Sequence, residues 1–455
     1  MTTVIENATI LYGGELQIIK NGVIVIDNYG IIEKAGKNSD MVDSKLYSQL
    51  LNDKKTNVLD ARGYIVFPGL VNSHTHIGDA IGKDISSNAD LDTRVNPNHS
   101  IKKTILEKTE PHQLRQFMKN AAISMLNKGI TTFVDFREGD LPGVNLLKDA
   151  IKDIPIKSIV LGRLDFNIFH KNTANKNTVT INNSDNNNNN TSENSRTKKN
   201  NGLDENEVFK RGGEILNSCG GFGLSGANEC DDKILATYKK IVNKKNKQNA
   251  HGKKEKTILA IHAAESAQTV EQSLKNTGKT EIGRTIFTLE PDVYIHVTNP
   301  TMHDLDLLRY SNKGIVICPR SNGVLGTGFV PLREMLKRGF IVAIGTDNIM
   351  LNSPDLFKEM DFLIKSQRAY EKNTSFLDAK AVLKMATVNS GKIFYRNIGC
   401  IDKGYPADLI FMDEYDIDIY PMHDPYMSII HRCSERAIKA VMIDGKFVHE
   451  KCLIN

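Results

Sequence analysis

The chain contains no tryptophan, no Cys-x-x-Cys pair and no apolar stretch of 18 residues. The lack of such a stretch excludes a transmembrane helix, and the N-terminus shows no signal-peptide pattern. The six cysteines are too scattered for a disulfide framework. We therefore expect reduced thiols in a cytoplasmic protein that has no membrane partner.

The chain also has little excess of either charge sign, because its formal net charge is only +5 over 455 residues. Much of it comes from a basic run at 239–256 that has no interleaved aromatic residues. Such a run is typical of a solvated helix end and loop rather than of a nucleic-acid surface. We expect no nucleic-acid partner.

Three regions of the chain differ in their sequence pattern. Residues 1–64 and 399–455 contain short β-type segments with glycine-containing turns, which predicts a small β-sandwich formed from both termini. Residues 65–398 alternate eight apolar strand-like runs with helical stretches. This α/β pattern fits a (β/α)8 TIM-like barrel better than an open sheet. The predicted barrel strands are Ile65–Val71, Ile130–Phe136, Ile156–Leu161, Gly221–Ser225, Thr257–Ile261, Val293–His296, Gly314–Cys318 and Phe340–Ile344.

The barrel region contains one segment of unusual composition. Residues 172–201 are rich in asparagine and contain almost nothing apolar. Such a segment cannot bury enough surface to offset the entropy of ordering it. We predict a disordered insertion after the third strand, without a part in the chemistry.

The first predicted barrel strand leads into two histidines, His74 and His76. Alternate side chains of a strand share a face, so both imidazoles point the same way and can offer nitrogen ligands to one metal ion. The spacing alone is a weak signal, because 12 histidines in 455 residues produce roughly 0.3 such pairs by chance. Its value depends on further ligands elsewhere in the chain.

Three later runs supply those ligands. Thr257–His262 and Val293–His296 each end in histidine, and Phe340–Asp347 ends in aspartate, at the barrel position of many catalytic carboxylates. Glu265 comes three residues after His262 and cannot share its strand face. It must curl back over the site, which suits proton transfer better than metal binding. The combination predicts a site for Zn²⁺ or Fe²⁺ with one position open for water.

These motifs resemble the metal-dependent amidohydrolase superfamily, in particular the branch of cytosine/guanine deaminases and chlorohydrolase-like aminohydrolases. Apart from the Asn-rich segment, the resemblance covers nearly the whole chain. It rests on PGLVNSHTH (Pro68–His76), IHAAES (Ile261–Ser266), the strand-end His296, CPRSN (Cys318–Asn322) and GTDN (Gly345–Asn348).

The resemblance implies a ligand set for one divalent metal ion per chain, with zinc favoured over iron. The implied ligands are His74, His76, His262 and Asp347. The fourth predicted strand ends without the lysine that binuclear branches commonly use, which favours a single ion. Glu229, just beyond that strand, is the residue that could bridge a second one.

The resemblance also implies a reaction and its catalytic residues. The chain would be a hydrolytic deaminase that cleaves a C–N bond of an amino-substituted heterocycle or nucleobase-like compound with activated water. Glu265 would protonate a ring nitrogen, His296 would orient the group under attack, and Asp347 would act as the base. The alternative is hydrolysis of a formimino, guanidino or cyclic amide C–N bond on the same site.

Other polar side chains at predicted strand ends are candidate contacts for a small-molecule substrate. They are Arg137, Arg163, Arg320 and Asn322. The alternative for each arginine is a structural ion pair. Several arginines at the barrel mouth would favour an anionic substrate. For the assembly, a homodimer is the general expectation.

Overall fold

The computed structural model describes residues 1–42, 55–85, 88–96, 99–165, 204–252 and 254–450. The insertion predicted at 172–201 lies outside the described residues. Within the described ranges, no helix combines the length and apolar character needed to cross a membrane.

Seventeen strands are present in the described part of the chain. In chain order they are β1 (Thr2–Tyr12), β2 (Gln17–Ile26), β3 (Ile32–Lys37), β4 (Thr56–Asp60), β5 (Tyr64–Pro68), β6 (Leu70–His76), β7 (Ile130–Arg137), β8 (Lys157–Gly162), β9 (Gly221–Leu224), β10 (Ile258–Ala263), β11 (Val293–His296), β12 (Gly314–Ile317), β13 (Val342–Ile344), β14 (Asp347–Asn348), β15 (Leu409–Asp413), β16 (Ile438–Ile443) and β17 (Lys446–Glu450).

The α-helices connect these strands and cover the barrel. They span Asn38–Val42, Leu91–Val95, Ile101–Lys108, Pro111–Asn127, Asp140–Ile151, Glu205–Leu216, Asp232–His251, Ala267–Thr277, Glu281–Thr288, Met302–Tyr310, Pro319–Leu325, Leu332–Lys337, Leu356–Glu371, Ala379–Met385, Val388–Phe394 and Pro425–His431. Short 3₁₀ turns occupy Ile77–Gly82 and Ala227–Glu229.

A parallel sheet of nine segments forms the barrel, in the order β13-β12-β11-β10-β9-β8-β7-β6-β14. The segments β13 and β14 are consecutive in the chain, so they represent one strand interrupted at Gly345 and Thr346. Its first half pairs with β12 and its second half pairs with β6. The ring therefore closes, and the predicted (β/α)8 barrel is confirmed.

The first predicted barrel strand, Ile65–Val71, is wrong in its extent. The chain forms two strands there, which belong to different sheets and meet at Gly69. β5 pairs with β1 and β15 in the terminal sheet, whereas β6 starts the barrel and carries both histidines. An apolar run that is buried throughout shows no periodicity that would reveal such a transfer. The domain limits at residues 64 and 398 stay a prediction. The chain passes from the terminal sheet to the barrel sheet at Gly69.

Strands from both termini form the second sheet, in the order β17-β16-β15-β5-β1-β2-β3 with β4 beside β1. The side chains of β5 alternate between two clusters, which shows how the terminal sheet packs against the barrel. Ile65 and Phe67 pack into the main core, while Val66 packs into a separate cluster of the terminal domain with Phe411. The small β domain predicted from both flanks is therefore present, and it buries one face against the barrel.

The barrel strands use the same alternation. Ala260 and Ile295 point into the barrel interior, whereas Leu259 and Ile261 pack outward against the helices. Both faces of these parallel strands are buried, which explains their nearly continuous apolar sequences. The packed interior leaves the C-terminal ends of the strands as the place for chemistry.

We predict that Gly345→Ala destabilises the protein by about 2 to 3 kcal/mol. A Cβ at residue 345 would lie 2.6 Å from the Cβ and 2.7 Å from the backbone nitrogen of His74, so neither partner is a flexible side-chain end. Urea unfolding measures the change. Gly213→Ala is the control, because nothing lies within 4 Å of its added Cβ, and a helical alanine is worth up to about 1 kcal/mol. Equal stabilities for the two variants would contradict the prediction.

Candidate metal centre and active site

The C-terminal ends of three barrel strands carry four polar side chains of the site. His74 and His76 lie on β6, with one residue between them, so they share the inner face. His262 lies one residue before the end of β10, and Asp347 begins β14. The pairing of β14 with β6 places Asp347 opposite Thr75, between the two histidines.

These four side chains converge on one small volume. One ligand-type atom from each of His74, His76, His262 and Asp347 lies within 4.8 Å of the others. His74 Nε2 is 3.1 Å from His262 Nε2 and 3.2 Å from Asp347 Oδ1, and His76 Nε2 is 3.6 Å from the same oxygen. All four residues are buried.

Hydrogen bonds on the far side of two rings fix which nitrogen faces the cluster. His262 Nδ1 lies 2.9 Å from the carbonyl oxygen of Leu224, which can only accept, so Nδ1 donates. His76 Nδ1 likewise donates to Glu138 Oε1 at 2.9 Å. Each neutral ring then points a lone pair from Nε2 toward the cluster and the Asp347 carboxylate.

Electrostatics favour neutral rings around a negative carboxylate. Burial lowers the pKa of His262 well below its usual value and that of His76 to about 3. Burial acts to raise the pKa of Asp347, but its hydrogen bond with His74 and the nearby histidines hold that pKa well below its usual range. Converging lone pairs and one carboxylate repel each other unless a cation lies between them, so these residues fit a divalent metal ion.

His296 and Glu265 form a second polar group, which lies near Oδ2 of the Asp347 carboxylate. His296 Nε2 is 3.6 Å from Glu265 Oε1 and 3.9 Å from Asp347 Oδ2. Ser321 donates to that Oδ2 at 2.5 Å. Burial raises the pKa of Glu265, and the charge of Asp347 adds to the effect while His296 opposes it. A carboxyl of raised pKa beside an imidazole can hold a proton and release it to a substrate.

Backbone conformations at these strand ends are uncommon. Ala264, His296 and Asp347 have φ values of +52°, +68° and +62°, in the left-handed region that side chains with a Cβ rarely adopt. Such conformations persist only where the surrounding structure stabilises them, and they concentrate at functional sites. They turn the side chains of Glu265 and Asp347 over the barrel mouth.

Two of the arginines proposed as substrate contacts bind protein carboxylates. Arg137 Nη2 lies 2.5 Å from Glu138 Oε2, and its side chain is only 3% exposed. Arg320 Nη1 lies 3.5 Å from the fully buried Glu359, and its Nη2 donates to Asn352. These contacts are the structural ion pairs weighed as the alternative, and a substrate role for either arginine stays a prediction.

The other two proposed contacts have different surroundings. Asn322 accepts a hydrogen bond from His296 Nδ1 at 3.0 Å and donates to Thr298 Oγ1, so it orients the ring of His296. Arg163 is half-buried after β8; burial raises the pKa of Glu229, and the charge of Arg163 opposes that rise. Glu229 belongs to neither candidate metal group found among the described residues.

Several residues of the site could not be recognised in the sequence. Lys102 is the buried residue of the helix Ile101–Lys108, and its Nζ lies 2.6 Å from Glu138 Oε1 and 3.5 Å from Asp79 Oδ2. Asp79 in turn accepts from Asn348 at 2.6 Å. No local pattern distinguishes a buried lysine in a lysine-rich segment from an exposed one, so sequence reasoning had no signal for it.

Comparisons with known proteins show the family of this chain and the fold that it shares with solved structures. The amidohydrolase family model matches residues 65–448. A provisionally named aminohydrolase of Methanothermobacter thermautotrophicus is 34% identical over 445 residues, covering 98% of each chain. A 5-methylthioadenosine/S-adenosylhomocysteine deaminase of Thermococcus onnurineus is 24% identical over 456 residues, covering 98% of this chain and 93% of its own. The solved structure of an adenosine deaminase from Xanthomonas campestris with bound zinc has a TM-score of 0.76 at 19% identity, covering 100% of this chain and 94% of its own.

The fold and the histidine–aspartate cluster define a barrel hydrolase that acts on carbon–nitrogen bonds. The chain belongs to the amidohydrolase family. The family resemblance predicted from PGLVNSHTH, IHAAES and GTDN is thereby confirmed.

We predict a pH-dependent stability that originates at Glu281. Burial, with the charges of Glu265 and Glu229, raises the pKa of Glu281 from 4.5 to about 7. Folding therefore takes up a proton between these values, and the free energy of unfolding falls as the pH rises through this window, by up to about 3 kcal/mol. Glu281→Gln removes this loss. Urea unfolding of chelator-treated protein between pH 5 and 8 should show the variant gaining stability relative to wild type, and parallel curves would contradict this.

Proposed function

We propose that the chain is a metal-dependent hydrolytic deaminase of an amino-substituted heterocycle or nucleobase-like compound. The observation that carries the proposal is the convergence of a four-residue metal-type cluster with a carboxyl–imidazole pair at one barrel mouth. Relatives named as deaminases of 5-methylthioadenosine and S-adenosylhomocysteine, and a fold shared with an adenosine deaminase, support it.

The proposed cofactor is one divalent ion per chain, held by His74, His76, His262 and Asp347. Three imidazoles and one carboxylate suit zinc better than iron, and zinc is bound in the adenosine deaminase structure. When bound, the ion supplies the Lewis acidity that activates water at neutral pH. The end of β9 supports a single ion, because Leu224 contributes a carbonyl to His262 there and no lysine is present.

The chain's own residues move the protons of the proposed reaction. Asp347 accepts a proton from the attacking water, whose oxygen bonds to the amidine carbon. Glu265 delivers a proton to the adjacent ring nitrogen, and His296, oriented by Asn322, supports the developing charge. The C–N bond then breaks, the proton held by Asp347 leaves with the amine as ammonia, and the hydroxyl proton of the adduct passes to Glu265, which is thereby reprotonated. The products are a carbonyl-containing heterocycle and ammonia.

We also propose that the protein is cytoplasmic, that it forms a homodimer, and that it binds zinc rather than iron. The small-molecule substrate follows from the family and from the narrow, buried cluster.

We predict that purified protein contains about one zinc ion per chain and releases ammonia from at least one amino-substituted compound in a panel of adenosine, 5-methylthioadenosine, S-adenosylhomocysteine, guanine and cytosine. Chelation should abolish the activity and added zinc should restore it, because the cluster needs a cation. Ring opening of a cyclic amide, or loss of a formimino or guanidino group, without ammonia release from the panel would favour the alternative reaction.

We predict that Glu265→Gln lowers kcat by about 10² to 10⁴-fold, because the glutamine amide cannot protonate the ring nitrogen. Its zinc content should stay unchanged, whereas Asp347→Asn should lose both zinc and activity. Glu271→Gln, on the exposed face of the next helix, is the matched control and should behave as wild type. Full activity in either Glu265→Gln or Asp347→Asn would refute the corresponding assignment.

A further inference from the structure

We propose that Glu281 is a positioning residue that holds the Ala263–Ala264 peptide, immediately before Glu265, and thereby aims the carboxyl of Glu265 at the substrate. The inference rests on the proposed function, because Glu281 would act on the reaction only through Glu265. Glu281 begins the helix Glu281–Thr288, about 20 residues beyond β10 in the chain, and only folding brings it to this turn.

Hydrogen bonds hold three successive peptide groups of the turn after β10. The Ala264 N–H donates to Glu281 Oε2 at 2.9 Å. Asn299 donates from Nδ2 to the Glu265 carbonyl at 3.0 Å and from its backbone N–H to the Ala264 carbonyl at 2.8 Å. The same Nδ2 also donates to the Thr327 carbonyl at 3.0 Å, which anchors Asn299 itself. Glu281 provides the contact on the N-terminal side of Glu265.

The conformation of Ala264 explains why the turn needs such contacts. Its φ of +52° lies in the left-handed region, which costs free energy for any residue with a Cβ. Ala264 is buried, so its N–H would have no water to donate to if the carboxylate were removed. Loss of the acceptor would therefore let the peptide relax, and the Glu265 side chain would move with it.

The chemistry at residue 281 points to a role beyond capping its helix. Thr280 already caps the helix by accepting from the Gly283 N–H at 2.9 Å. An acid in the first turn suits the helix dipole equally well when exposed, yet Glu281 is only 4% exposed. It also faces the charges of Glu265 and Glu229, which disfavour a carboxylate there. The contact with Ala264 gives this costly placement a physical purpose.

The test compares Glu281→Ala, which removes the acceptor, with Glu281→Gln, which keeps one, in the zinc-loaded enzyme. We expect Glu281→Ala to lower kcat by about 10 to 100-fold through misplacement of Glu265, with KM changed less than about threefold. Zinc content should be unchanged, and Glu281→Gln should stay within about threefold of wild-type kcat. Glu271→Ala on the neighbouring exposed helix face is the control. Should Glu281→Ala not fold, Glu281→Leu, which keeps the volume without an acceptor, replaces it.

A double-mutant cycle separates positioning from a general structural role. If Glu281 acts through Glu265, then Glu281→Ala should cause no further loss of kcat in the Glu265→Gln background. An additional loss equal to that in wild type would overturn the inference.

Hydrogen exchange tests the contact without relying on activity. The amides of Ala264 and Glu265 should exchange faster in Glu281→Ala than in wild type, and at the wild-type rate in Glu281→Gln. Suppose that exchange is faster in Glu281→Ala but that the wild-type enzyme releases no ammonia. The proposed function is then refuted, whereas the structural role of the contact between Glu281 and Ala264 stands. Unchanged exchange together with unchanged kcat would overturn the inference alone.

Discussion

Closure of the barrel between β14 and β6 is the constraint on which the site depends. A two-residue strand segment pairs Asp347 with Thr75 and thereby sets the carboxylate between His74 and His76. Asn72 secures this register, because its side chain both donates to Thr346 Oγ1 and accepts from the Thr346 N–H. Residues separated by more than 270 positions become neighbours only because parallel strands end at a common rim.

Hydrogen-bond acceptors on the Nδ1 side of three histidine rings determine how those rings are oriented. Leu224, Glu138 and Asn322 each hold the Nδ1 side of one ring, so that each Nε2 faces the interior of the site. This arrangement orients the donors before any ion arrives, which limits the reorganisation that binding requires. The ionised carboxylate of Asp347 completes a cavity whose own groups repel one another and attract a cation.

Ion pairing also determines what the rim offers a substrate. Arg137 and Lys102 both bind Glu138, and Arg320 lies beside Glu359. Each of these cationic side chains lies against a carboxyl group of the protein, and an anionic substrate stays a prediction.

The sequence by itself determined the barrel, the terminal β domain and the residues that form the candidate centre. It could do so because strand ends are local features: His262, His296 and Asp347 each close an apolar run, and the barrel rule then brings such ends together. It placed the first strand wrongly, since an apolar run buried on both faces hides the transfer at Gly69. Only the tertiary structure decided that Arg137 and Arg320 bind carboxylates and that Lys102 and Glu281 reach the site, because ion pairs and backbone contacts join side chains whose sequence separation carries no trace of their distance in space.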